Sequence, residues 1–286
     1  MKKLISLLII SVMTLFTGCG LSNKPFDESR EITVITREDG SGTRDAFTEL
    51  TGVLVKGENT RTDNTAVSAL TINSTEAVIT NVKDNAYAIG YISLGSLNDS
   101  VTAVKVNGID VTAENIKSGE YAISRPFNIA YNGELSDVAQ DFVTFILSAD
   151  GQKVVSDEGY VTVSENDAYN GAKPSGKISI AGSSSVSPVM EKLAEAYQAV
   201  NTNAKIEIQT SDSSAGIQSV TENTCDIAMA SRELKNEESD TLTSQTIAKD
   251  GIAVIVNKKN TYIDLTMEQI KSIYTGETDN WSDISK

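Results

Sequence analysis

Histidine is absent from the 286 residues. That removes imidazole-activated nucleophiles, histidine metal ligands and neutral-pH proton relays together. Cysteine is nearly absent too, with Cys19 and Cys225 alone, so no disulfide framework is expected. Cys225 lies in the apolar run "CDIAMA", where a thiol behaves as an inert small hydrophobe. Basic residues number 24 against 39 acidic ones, a formal charge of −15. Such a chain repels nucleic acid, whose phosphates demand a basic footprint. It also has no general attraction for small anions, so an anion site must come from local geometry. No phosphate loop of the G-x-x-x-x-G-K-[ST] type occurs, no strand is followed by G-x-G-x-x-G, and there is no G-x-S-x-G elbow. The acids are scattered and define neither a metal site nor a catalytic carboxylate pair. No catalytic residue, metal or cofactor is expected, and the chain does not read as an enzyme.

What is present begins with an address. Lys2 and Lys3 precede an apolar run from Leu4 to Phe16, and Thr17-Gly18-Cys19 follows. The run is short for a permanent span and reads as a signal peptide over residues 1–19. "LFTGC" resembles a bacterial lipobox, with Phe16 where leucine is more usual; Cys19 would then be lipidated and hold the protein on the outer face of the cell membrane. Plain secretion with a free Cys19 is the alternative. Residues 20–30 are polar and turn-rich and read as a tether.

From Ile32 onward strands and helices alternate, which points to an α/β architecture around a largely buried sheet. "ITVIT", "AYAIGYISL", "KISIAG", "KIEIQT" and "GIAVIVN" are strand-like. Residues 41–50 read as helix, and "ELSDVAQDFVTFILS" puts Leu135, Val138, Ala139, Phe142, Phe145 and Ile146 on one stripe. A helix is expected over 188–200, with Ser187 as N-cap and Pro188 at its first position. Three units share one design, a strand, a Ser/Gly/Thr turn and a helix: "VITREDGSGTRDAF", "ISIAGSSSVSPVM" and "IEIQTSDSSAGIQSV". A helix N-terminus offers unpaired amides and partial positive charge, and hydroxyls add donors without net charge. One such turn is ordinary capping. Three, one of them carrying Arg37 with its planar fork, point to an oxyanion.

The segments "AGSSSVSPVMEKLAEAYQAVN", "SDSSAGIQSVTENTCDIAMASRELK", "DGIAVIVNK", "LTMEQIKSIYTGETDNWSDI", "TREDGSGTRDAF", "AYAIGYISLGSL" and "SRPFNIAY" resemble the phosphate-binding protein of the phosphate ABC transporter, over nearly all of residues 32–286. The order differs: "TREDGSGT" comes first and "NWSDI" last, as in a circular permutation with its joint near Tyr169–Lys177. The resemblance implies a two-lobed, periplasmic-binding-protein-like fold of class II type with a ligand cleft between lobes. Residues 31–124 plus 252–286 would form lobe one, and 125–251 lobe two. It implies a monomer that captures inorganic phosphate and passes it to the membrane subunits of an ABC permease. Its binding residues, carried over, are Ser184, Ser185, Val186, Ser213, Ser231, Arg37, Ser41, Gly42 and Thr43. Asp39 would orient Arg37, and Ser183 is a lesser candidate. Ser231 stands where the family commonly has an aspartate that reads the phosphate proton, so sulfate binding is an alternative. Arg232 next to it is either a second fork or a surface charge. A surface lipoprotein of the same fold, used for sensing or adhesion, is the other class of function.

Overall fold

The computed structural model describes residues 25–57 and 60–284, so the signal segment and Cys19 lie outside it. β1 (Thr33–Arg37) leads into α1 (Gly42–Leu50), a hairpin of β2 (Leu54–Lys56) and β3 (Arg61–Asp63), β4 (Leu70–Ile72), α2 (Thr75–Asp84) and β5 (Ala88–Ser93). Short strands β6 (Thr102–Ala103) and β7 (Lys105–Val106) and helix α3 (Ala113–Ser118) precede the longer β8 (Ser124–Tyr131). Then come α4 (Asp137–Leu147), α5 (Ala149–Asp157), β9 (Gly176–Ser183), α6 (Ser187–Val200), β10 (Ala204–Ser211) and α7 (Ser213–Thr221). β11 (Ile227–Ala230), α8 (Asn236–Ser239), β12 (Thr243–Val256), β13 (Asp264–Leu265) and α9 (Met267–Thr275) follow, and the described chain closes with a 3-10 turn over Trp281–Asp283.

The main sheet has the order β10-β9-β11-β8-β12-β5-β1-β4, with β6 added to β12. β10, β9 and β11 are mutually parallel, as are β5, β1 and β4, while β8 and β12 lie antiparallel between the two sets. β12 serves both sets. Its first part pairs with β8, from Thr243 opposite Tyr131 to Gly251 opposite Ser124. Its second part pairs with β5, from Ile252 opposite Ser93 to Val256 opposite Ile89.

The apolar interior divides at the same place. One core runs from Ile32 to Ile123 and from Ile252 to Ile284, with Val161 added; a second holds residues from Phe127 to Ala248, and a smaller cluster of Ala130, Ile217, Val220, Ala228, Ala230 and Leu242 lies on the same side. These two α/β halves, lobe one and lobe two below, are therefore joined by two crossing strands. Strands buried on both faces read as continuous apolar runs, and β5 is buried at every residue. The edge strand β10 instead alternates Ile206 and Ile208 with exposed Lys205, Glu207 and Gln209.

Two expectations change here. The tether is folded from Phe26 onward, because its ring meets Tyr87, Trp281 and Tyr262 at centroid distances of 5.3, 5.8 and 6.4 Å. An aromatic side chain with that many ring neighbours gains too much from burial to stay in a solvated linker. Ser187 is the first residue of α6, not its cap: Val186 holds the cap position and the Ser187 hydroxyl donates to Ser183 O at 3.1 Å.

The segment between α5 and β9 has no regular structure of its own, and a buried carboxylate ties it down. Asp141 of α4 accepts bonds from the Tyr169 hydroxyl, from the Tyr197 hydroxyl at 2.7 Å and from the Ala172 amide at 3.1 Å. Replacing Asp141 by alanine leaves these donors without an acceptor, and should cost about 3 kcal/mol of unfolding free energy. Denaturant titration measures that loss, and limited proteolysis should show cleavage rising within residues 164–176.

Candidate functional site

Parallel strands present their carboxyl ends on one edge, and crossover helices begin there, so that edge collects helix N-termini. In this chain β1, β4, β9, β10 and β11 all deliver polar residues to it. α1 starts after Ser41, whose Oγ accepts from Arg44 N, leaving the amides of Gly42 and Thr43 in the first turn without intrahelical acceptors. α2 starts after Ser74, and Thr75 is its first residue. α7 starts at Ser213, with Asp212 accepting from Ala215 N.

Arg37 ends β1 and is 2% exposed. Its Nε and Nη2 both reach Glu38, at 2.7 Å each, in a bidentate pair. Nη2 also donates to Ser184 Oγ at 3.0 Å, and Nη1 to Thr75 Oγ1 at 3.4 Å. Behind it, Tyr91 is buried, accepts from the Arg37 amide at 3.1 Å and bonds Thr36 Oγ1 at 2.8 Å. Burial pushes the Tyr91 hydroxyl up to about 12, so it stays a neutral brace. Phe47 of α1 stacks on it at 4.0 Å, which fixes the helix against β5, the neighbour of the strand that carries Arg37.

Around this guanidinium the structure gathers hydroxyls from both lobes. Thr43 and Ser185 meet at 2.8 Å, Thr75 and Ser185 at 3.3 Å, Ser183 and Ser231 at 2.9 Å, and Ser213 and Ser231 at 3.3 Å. Ser183, Ser185, Ser213, Ser231, Thr43 and Thr75 are all buried. Gly42 lies among them: a Cβ there would sit 2.5 Å from Ser213 Oγ and 2.8 Å from Ser231 Oγ. Across the lobes, the Ser214 amide donates to Gly40 O at 3.1 Å.

Some expected positions are placed differently. Asp39 does not orient Arg37. Its side chain is 97% exposed and pairs with Arg44, while Glu38, 18% exposed, turns inward onto the Arg37 fork. The reason is backbone geometry: Gly40, at φ 90°, takes the chain out of β1 and leaves Asp39 on the outside of the turn. Val186 is buried, and its amide is used within the turn by Ser183 O. Ser41 acts as the cap of α1. Arg232 is neither a fork on the hydroxyl cluster nor a surface charge. It is 5% exposed, bound to both Glu238 oxygens at 2.7 and 2.8 Å, and its Nε faces Asp45 of lobe one at 3.2 Å. Arg232 and Asp45, together with Arg125 and Lys235, line an inter-lobe cleft of about 1100 Å³.

Thr75 was not among the expected residues. Its signal was the same one used elsewhere, a hydroxyl pair at the head of an apolar stripe, in "NSTEAVITNV".

Two α/β lobes on paired crossing strands, with their strand ends facing a shared cleft, are the architecture of periplasmic-type solute receptors, and the chain belongs to the PBP superfamily, whose domain matches residues 23–150 and 167–286. It is 48% identical over 289 residues to the phosphate-binding protein PstS 2 of Streptococcus agalactiae serotype V, spanning 99% of both chains. The protein of that name from Streptococcus pneumoniae serotype 4 is 45% identical over 287 residues, again spanning 99% of each. A crystal structure titled as a phosphate ABC transporter, phosphate-binding protein from Streptococcus pneumoniae TIGR4 matches with a TM-score of 0.72 and 47% identity, covering 90% of this chain and 100% of that one.

Two predictions follow from the geometry. Gly42→Ala drives a methyl onto Ser213 and Ser231, so the lobes cannot approach as closely; anion affinity should fall on the order of 100-fold, by calorimetry. Burial alone would raise Glu238, but the Arg232 fork and the Lys235 amide hold its carboxyl below the ordinary 4.5. The pair therefore stabilises the fold above that value and loses its contribution as pH falls through the lowered one. Glu238→Gln should cost about 1–2 kcal/mol at neutral pH. Its gap to the native protein should close in acid, as read by denaturation at a series of pH values.

Proposed function

We propose that the chain captures inorganic phosphate in the cleft between its lobes and delivers it to the membrane subunits of an ABC import permease. The observation that carries this is a buried, pre-oriented guanidinium ringed by hydroxyls and helix N-termini from both lobes. The full-length relatives of the previous section, named as phosphate-binding proteins, support it. A tetrahedral oxyanion offers several acceptors to Arg37, Thr43, Thr75, Ser184, Ser185, Ser213 and Ser231, together with the amides of Gly42 and Thr43. Each charge-assisted bond contributes roughly 1.5–3 kcal/mol, offset by the dehydration of the anion. Because the donors are divided between lobes, ligand bridges them and favours the closed form, which a permease can distinguish from the open one.

The reading is of a binder. Glu38 has both oxygens on Arg37, and the hydroxyls of the cluster bond to one another and to Arg37. Among the described residues no helix is long and apolar enough to cross a membrane. Anchoring through a lipidated Cys19 and a monomeric state complete the proposal.

We read the segment order as a circular permutation. Supporting this, the two ends of the described fold meet: Ser282 N–H donates to Glu28 O at 2.7 Å, and Ile32 N–H to Asp279 O at 2.7 Å.

A second reading, a site open to tetrahedral oxyanions more broadly, is favoured by one observation. Ser231 supplies a hydroxyl, able to donate or accept, at the centre of the cluster. Calorimetry with phosphate, and with sulfate as competitor across pH 5 to 8, separates the two. Phosphate binding that Arg37→Ala weakens by about 100-fold is expected. Heat from sulfate alone would sink the phosphate reading, and equal competition would support the broader one.

A further inference from the structure

At the crossing of the lobes lies a buried ion pair outside the hydroxyl cluster. Arg125 of β8 and Asp250 of β12 are directly opposite one another in the antiparallel ladder, 4% and 0% exposed. Asp250 Oδ2 accepts from Arg125 Nε at 3.1 Å and Nη2 at 3.0 Å. Its Oδ1 reaches into lobe one, accepting from the Ser93 hydroxyl at 2.8 Å and the Leu94 amide at 3.1 Å at the end of β5. The remaining arm of Arg125, Nη1, donates to Ser231 O at 3.1 Å. Ser231 in turn receives the Ser183 hydroxyl at 2.9 Å and donates its amide to Ser213 Oγ at 3.1 Å. One continuous set of hydrogen bonds therefore runs from the end of β5 in lobe one, through both crossing strands, to the residue at the centre of the anion cluster in lobe two.

We propose that Arg125 is a positioning residue for anion binding, held by Asp250, that sets the Ser231 peptide in place from the point where the two crossing strands join the lobes. Two features of the arrangement require it. A guanidinium with a carboxylate on two of its nitrogens has a fixed plane, so the third nitrogen has one direction to donate along. A buried pair at a strand crossing also cannot slide without uncovering charge, so it has discrete arrangements rather than a continuum. Bending of β12 relative to β8 moves Arg125, and with it the peptide that carries Ser231. Gly251, next to Asp250, fits this use: a Cβ there would lie 2.5 Å from Ile116 Cδ1, so α3 packs directly on the crossing strand.

This rests on the phosphate reading above, and a double-mutant cycle tests it. Arg125→Lys keeps a cation beside Asp250 but gives up the arm to the Ser231 carbonyl. Phosphate affinity is measured by calorimetry for the native protein, R125K, S231A and the double variant, with melting temperatures alongside. R125K should weaken phosphate roughly tenfold in the native background and about twofold or less in the S231A background, because its effect passes through Ser231. Asp250→Asn, which replaces the carboxylate holding the Arg125 fork by a neutral amide, should show the same dependence on Ser231. Equal fold losses in both backgrounds, or no loss in R125K, would overturn the proposal. So would failure of both R125K and D250N to fold, which would make the pair purely a stability element. If the native protein itself takes up no phosphate, the functional reading fails and this one with it; native binding with an additive cycle removes this one alone.

Discussion

A guanidinium with almost no solvent contact needs its charge answered from within the protein, and Arg37 has Glu38 for that purpose. The pair holds the fork in one plane while keeping the ligand-free cleft close to neutral. In a chain with a formal charge of −15, attraction for an anion cannot come from the bulk field. In the proposed site it comes from one oriented cation, from helix N-termini whose first amides have no intrahelical acceptor, and from hydroxyls that supply donors without charge. Each of these has to arrive at the same edge of the sheet. The parallel strand sets do that, since every strand that feeds the cluster ends on that edge.

The cluster is divided between the lobes, and in the proposed function that division couples binding to closure. Arg37, Thr43 and Thr75 belong to lobe one; Ser183, Ser184, Ser185, Ser213 and Ser231 belong to lobe two. In the proposed binding mode neither lobe holds a complete set of donors, so an anion is fully coordinated only when they meet. Close approach is possible because Gly40 and Gly42 carry no side chain at the line of contact, where a Cβ would sit within 2.7 Å of Asp212 or Ser213. Charge pairs frame the contact: Arg232 faces Asp45 across the cleft, and Arg125 and Asp250 join the crossing strands. The same polar side chains thus tie the two lobes together around the proposed site.

Local interactions made much of this readable in advance. β-branched runs became the strands of the sheet, and the Ser/Gly/Thr turns became helix starts because capping involves only neighbours along the chain. Ser41 does cap α1, and Asp212 caps α7. Thr75 carried the same local mark within "NSTEAVITNV", although no glycine or arginine drew attention to it. The choice between Glu38 and Asp39 was not readable. Both acids are near enough to Arg37 in sequence, and only the turn at Gly40 decides which one faces inward.

The sequence by itself determined the elements, the hydroxyl-rich turns and the arginine, since these follow from periodicity, propensity and the chemistry of single residues. Tertiary structure alone decided the partners: Glu38 for Arg37, Glu238 and Asp45 for Arg232, Asp250 for Arg125. Arg125 and Asp250 are 125 positions apart in the chain and become neighbours through strand register. A charge carries no local sign of which opposite charge will answer it. Burial supplies the requirement for a partner, and topology supplies the partner.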